Sequence, residues 1–244
     1  MGDFISGLQS SLSVARLNGY RLTDDESDLD VLARYVWNMD IGGALYSSLH
    51  ILEVGLRNRL DSAITHREGE MWFNDPDVVV DAKGRAEIDS AKRMLIADRK
   101  VVSHSRMVAA LDFGFWTSLF KRVYEQGPSA QSAPNEPLLL STPAGRPLWP
   151  QLLPATFPGK TRAILSGRFN ELRQLRNRIF HHEPIWRGMP TGQGTKGIDR
   201  QHDDLIEAIG WIDADLRRAA VLLDTFPKLH GAGHRWYRAQ LSLL

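Results

Sequence analysis

The sequence predicts an all-α protein, and three observations carry that prediction. Apolar residues recur every three or four positions, most clearly at Ala44, Leu45, Leu49, Leu52, Leu56, Leu60 and Ile64, which is the spacing of one helix face. No stretch shows the strict apolar–polar alternation of a half-buried strand. Eight of the twelve prolines fall between residues 127 and 159, so irregular structure is expected in one region, a long loop inserted in a helical bundle.

The 244 residues, 43% of them hydrophobic, are enough for one domain spanning 1–244 with a sizeable core. There is no cysteine, which excludes disulfides and thiolate–zinc sites and fits a reducing compartment. No apolar run approaches the ~18 residues of a membrane-spanning helix. The start MGDFISGLQSSL lacks the basic and apolar regions of a secretory signal. A cytoplasmic protein with no membrane partner is expected.

Phe4, Ile5, Leu8, Leu12 and Ala15 predict a first amphipathic helix to about Leu17, with Gly19 past its end. An acidic run from Asp24 to Asp30 precedes a second helix carrying Leu29, Leu32, Tyr35, Val36 and Trp37. Ser27 or Asp28 caps it, and the acidic first turn suits the positive helix end. A long helix is predicted from about Ile41 to Arg67, and Glu53 and Arg57, four apart, are spaced for an intrahelical pair. Trp72–Asp77 reads as a turn with packed aromatics. A helix over Ala82–Asp98 offers Ile88, Ala91, Met94, Leu95 and Ile96 for burial, and another over Ser103–Gln126 contains FGFWTSLF. There Phe113, Phe115, Trp116 and Phe120 read as core, and Gly114 as a place for a neighbouring helix to approach.

After the Pro-rich loop, a helix is predicted from Thr161 or Arg162 to His182 or Glu183, since Pro184 biases its predecessor away from helical geometry. Gly188–Gly197 reads as a polar loop. A last long helix covers about Asp199–Thr225, with Leu205, Ile206, Ile209, Ile212, Leu216, Ala219, Ala220 and Leu223 inward. Residues 228–244 form a basic, aromatic tail, read mainly as packing or dimer contact.

Candidate chemistry concentrates in LRQLRNRIFHHEPIW, Leu172–Trp186. On a helix Asn177 and His181 lie about 40° apart and share a face, while Arg176 and His181 lie about 140° apart and flank one. Both His181 and His182 fall in the last turn, where the helix dipole favours imidazolium. An arginine, an amide and a titratable histidine at one surface can hold a phosphodiester and move protons around it; a solvated helix end with a cap accounts for the same residues. Between Lys160 and His182 the basic residues Lys160, Arg162, Arg168, Arg173, Arg176 and Arg178 face one acidic residue, Glu171. That is the local footprint a phosphate backbone needs, or an ordinary solvated face. The net charge of +1 argues against a uniformly basic surface. Adjacent helical side chains point about 100° apart, so His181 and His182 make a poor pair for one metal. No G-x4-G-K-[ST], H-E-x-x-H or G-x-S-x-G motif is present. No metal or other cofactor is expected.

The string Arg176-Asn177-Arg178-Ile179-Phe180-His181 resembles the R-x4-6-H signature of HEPN ribonucleases. The longer LRNRIFHHEPIW, with ILEVGLRNRL (Ile51–Leu60) and FGFWTSLF (Phe113–Phe120), is similar to the Abi-like family of that superfamily, found in bacterial abortive-infection and toxin systems. The resemblance covers roughly residues 30–225. It implies a HEPN-like helical bundle and a homodimer whose paired helices form one site. It also implies metal-independent endoribonuclease activity, with Arg176 and His181 catalytic. Asn177, His182, Arg178, Arg173, Glu53, Arg57 and Asn58 are candidates for support or RNA contact, with His182 open between substrate contact, support and cap. Implied partners are an RNA substrate and a protein or RNA antitoxin. Many family toxins carry a tyrosine two residues after the histidine; Glu183 stands there in this chain. A HEPN module that binds RNA or protein without cleaving is the competing expectation.

Overall fold

Helix α3 runs unbroken from Asp28 to Glu68 in the computed structural model, which describes residues 2–125, 146–191 and 194–244. The sequence suggested two helices meeting near Ile41. Gly42 and Gly43 each cost about 1 kcal/mol in a helix interior, but the buried stripe continues across them through Ala33, Trp37, Ile41, Leu45, Leu49, Leu52, Leu56, Leu60 and Ile64. Burial of that stripe outweighs the local cost. Ser27 caps the helix, its hydroxyl accepting from the Asp30 N–H at 3.2 Å.

Before α3 lie α1 (Gly2–Leu12) and α2 (Val14–Asn18), not one continuous helix. The break is Ser13, at φ 67°, whose side chain accepts from the Arg16 N–H. After α3 come α4 (Ala82–Ala97), α5 (His104–Ala110) and α6 (Phe113–Ser118). On α4 the apolar face is Ile88, Ala91 and Leu95; Met94 and Ile96 are exposed instead. The helix expected over 103–126 is divided because Asp112 caps α6, its carboxylate accepting from the Phe115 N–H at 2.8 Å. Gly114 answers to the same carboxylate: a Cβ there would meet Asp112 Oδ1 at 3.0 Å, not a neighbouring helix.

Most of the Pro-rich stretch lies outside the described residues. The chain on its C-terminal side is packed: Leu148, Trp149 and Phe157 are buried, and α7 covers Leu153–Thr156. Helix α8 spans Arg162–Phe180. The expected loop after it holds a short antiparallel hairpin, β1 (Met189–Thr191) with β2 (Gly194–Lys196). Helices α9 (Ile198–Ile212) and α10 (Ala214–Leu223) replace the expected single last helix. Their separation at Asp213 leaves Leu223 and Ala219 exposed. The tail is helix α11 (Phe226–Leu241), turned at Gly233. The fold is mostly helical, and no helix among the described residues is long and apolar enough to cross a membrane.

The residues group into two compact units. One comprises Met1–Leu52, Gln174–Gly210 and Asp215–Leu244; the other comprises Glu53–Arg173 and Trp211–Ala214. The first has a cluster of Leu17, Tyr20, Val31, Leu32 and Tyr35, with Leu12, Trp186 and Leu241 against it. Helix α11 is fixed there by the Trp37 indole N–H donating to the Leu229 carbonyl at 3.1 Å and by an Arg238–Asp30 ion pair at 2.6 Å. The second unit is built on aromatic rings, Phe120 stacking on Trp149 at 5.1 Å and on Phe169 at 5.2 Å, and Trp116 set edge-on to Phe115 at 5.3 Å. The FGFWTSLF segment is thus core, as its composition suggested.

Candidate functional site at the end of α8

Arg176, Asn177, Arg178, His181 and His182 all belong to the first unit. The sequence placed both histidines inside the helix. The structure ends α8 at Phe180, because the chain turns into a left-handed cap. The Glu183 N–H donates to the Arg178 carbonyl at 2.8 Å and the His182 N–H to the Ile179 carbonyl at 3.0 Å, the two bonds that close a helix through a left-handed residue. That residue is His182, at φ 57°, a conformation uncommon without glycine but one that histidine adopts more readily than most. Its carbonyl accepts from Arg16 Nη2 at 2.8 Å. The two histidines differ in backbone: His182 shapes the turn in its left-handed conformation, while His181 stands on the cap, its N–H bonded to the Asn177 carbonyl at 2.8 Å; both residues are exposed.

The arginines divide in the same way. Arg178 holds the return chain: Nη1 donates to the Gly188 carbonyl at 2.7 Å, Nη2 to the Pro184 carbonyl, and Nε to the Glu183 carboxylate at 3.2 Å. Its guanidinium supports the turn through these three contacts. The Arg176 guanidinium lies over the Phe180 ring, 4.3 Å from its centroid, a cation–π geometry that holds the charge one turn before His181. Phe180 in turn packs on Tyr46 at 5.9 Å. Asn177, next to Arg176 in the chain, is half-buried.

The turn is locked from α3 by a residue that lies outside every motif of the sequence. Asn38 is 5% exposed. Its amide oxygen accepts from the N–H groups of Ile185 (2.7 Å) and Trp186 (3.1 Å), and its amide nitrogen donates to the Tyr20 hydroxyl (3.0 Å) and the Glu183 carbonyl (3.3 Å). Burial pushes the Tyr20 phenol up to about 12, so it stays a neutral hydroxyl. The legible signal is an asparagine midway between Val31 and Leu45, seven residues from each and on the same buried stripe. Beneath it Arg34, 2% exposed, donates to Glu26 at 2.5 Å and 3.0 Å and to the Tyr20 carbonyl. Those bonds hold the Glu26 carboxyl down at about 2. The acidic run read as a helix start thus also supplies the counter-ion of a buried arginine.

Beside the cap opens a cavity of about 1050 Å³, bordered by Arg16, Met39, Gly43, Tyr46, Phe180 and His182 among others. Met39, Tyr46 and Phe180 are 55%, 52% and 44% exposed. Three large apolar side chains rim one groove, more than scattered surface residues need.

The remaining candidates belong to the second unit. Arg57 Nε donates to the neighbouring Asn58 side chain at 3.3 Å, Glu53 is half-buried, and Arg173 donates to Asn170 at 2.8 Å. Among the described residues no three His, Asp or Glu side chains group so as to hold a metal ion. No protein-family model, no curated protein and no solved structure matches the chain.

Proposed function

We propose that the chain is a metal-independent endoribonuclease of the HEPN type, acting as a toxin or abortive-infection effector, with its site completed by a second copy. The observation that carries this reading is the division of labour at the end of α8. Of the basic side chains in the signature, Arg178 is committed to the turn, while His181 is exposed and Arg176 is held one turn earlier on Phe180.

A second copy seated on the Met39–Tyr46–Phe180 groove would bury that apolar rim and bring two His181 side chains together. One imidazole takes the proton of a ribose 2′-hydroxyl as its oxygen attacks phosphorus. The 2′-O–P bond forms, the P–5′-O bond breaks, and the second imidazole gives its proton to the leaving 5′-oxygen. Arg176 stabilises the charge on the phosphoryl oxygens, and Asn177 holds a neighbouring phosphate or the His181 ring. The products are a 2′,3′-cyclic phosphate and a 5′-hydroxyl.

The test is cleavage of RNA by purified protein in EDTA, with the ends mapped. Cleavage that persists, leaves those ends, and spares RNA carrying a 2′-deoxy residue at the cut is expected. Activity that needs added magnesium and leaves 5′-phosphates would sink the mechanism. RNA binding without cleavage would favour the non-catalytic module.

A further inference from the structure

The second unit holds a polar cleft of about 530 Å³, walled by α4, α6 and α8. Lys83, Lys121, Arg162 and Arg173 line it, with hydroxyls from Thr117, Ser118 and Ser166 and the amide of Asn170; Gly114, Ala163 and Gly167 keep the floor open. No carboxylate and no aromatic ring is among the lining residues. Arg162, Ser166, Asn170 and Arg173 recur at helical spacing on α8, so one face of that helix forms a wall.

Acidic neighbours fix two of the four cations without covering the cleft. Lys121 pairs with Asp81 and Arg162 with Glu125, each at 2.7 Å. Lys83 is loosely placed, 3.6 Å from Glu87 with its side chain 76% exposed, and burial pushes the Glu87 carboxyl above its ordinary range. Arg173 donates one bond to Asn170, at 2.8 Å. The Ser118 hydroxyl oxygen is buried and has no hydrogen-bond partner among the described residues, a cost that an acceptor in the cleft would relieve.

Cations, hydroxyls and an amide with no stacking surface suit phosphate oxygens and do not suit a nucleobase, which protein sites hold by stacking and edge contacts. We propose that this cleft binds the phosphodiester backbone of single-stranded RNA without regard to base, as an anchoring subsite of the nuclease. The inference rests on the RNA-directed reading above but concerns binding, not cleavage.

The experiment measures binding of short oligo(A) and oligo(U) to the full chain carrying His181→Ala, so that substrate survives, across a salt series. Lys83→Gln with Arg173→Gln removes the two least committed cations, and Ser166→Glu separately places an anion in the wall. Each is checked for unchanged melting. Affinity for both oligomers is expected to fall about tenfold at moderate salt, and in the double variant the slope of log K against log salt to shrink by about 1.4, two phosphate contacts of a single strand. Unchanged affinity and slope in both variants would overturn the proposal. So would a loss confined to one base, or inorganic pyrophosphate binding as tightly as the oligomers. Absence of cleavage by the unsubstituted protein would defeat the nuclease reading and leave this binding result standing.

Discussion

One amide oxygen of Asn38 accepts from two consecutive main-chain N–H groups, those of Ile185 and Trp186, at 2.7 and 3.1 Å. A side chain in the third turn of α3 thereby sets the path of the chain leaving the candidate site. Asn38→Ala would strand those N–H groups, at about 1–3 kcal/mol for each one left buried. Urea unfolding should show a loss of about 2 kcal/mol or more, and cleavage should fall with it as the cap loosens. A loss below about 0.5 kcal/mol, the level of an ordinary surface change, would mean the turn is held elsewhere.

The Glu26–Arg34 pair predicts an acid limit. Glu26 sits at about 2 in the folded protein against an ordinary 4.5. A depressed carboxyl contributes its full stability above the unfolded value and loses it as pH falls through the folded one. Stability should therefore decline between about pH 4.5 and 2, and Glu26→Gln should remove that part of the decline. At neutral pH the same variant leaves Arg34 buried without its counter-ion and should cost about 3 kcal/mol or more. Thermal melts across the pH range read both effects.

The two histidines should separate cleanly. His182→Gly places glycine where a left-handed residue is required and should hold or raise stability, by up to about 1 kcal/mol. Cleavage should survive it, and should survive His182→Ala better than His181→Ala. Greater loss at position 182 than at 181 would reverse the assignment of the catalytic histidine.

Arg176→Ala and His181→Ala should each lower cleavage by about 10²-fold or more, with melting nearly unchanged for His181, whose side chain is exposed. Lysine at 176 should rescue little, since the planar guanidinium both covers the Phe180 ring and matches two phosphate oxygens. Full activity in either alanine variant would move the site elsewhere.

Dimerisation should depend on the groove rim. Tyr46 is 52% exposed, so Tyr46→Glu should leave the monomer folded while shifting sedimentation from dimer to monomer, with cleavage lost in parallel. A monomeric unsubstituted protein at micromolar concentration would count against the composite site.

Legible in the residues alone are the helical character, the buried stripe of α3 from Leu45 to Ile64, the core role of FGFWTSLF, and the cluster of basic and imidazole groups around Arg176 and His181. Each of these is a local periodicity or a local composition, and such signals survive without knowledge of neighbours. Tertiary structure decided the rest. Whether Gly42-Gly43 interrupts a helix depends on what the flanking stripe buries. The breaks at Ser13, Asp112 and Asp213 give one helix or two by the margin of a cap. Most of all, the path of the chain through and after His182 follows from partners distant in sequence: Arg16 and Asn38, brought to the turn after α8 by folding, hold the His182 and Glu183 carbonyls and the Ile185 and Trp186 N–H groups. A buried polar group must find its bond wherever the fold supplies one, and no spacing in the chain announces where that is.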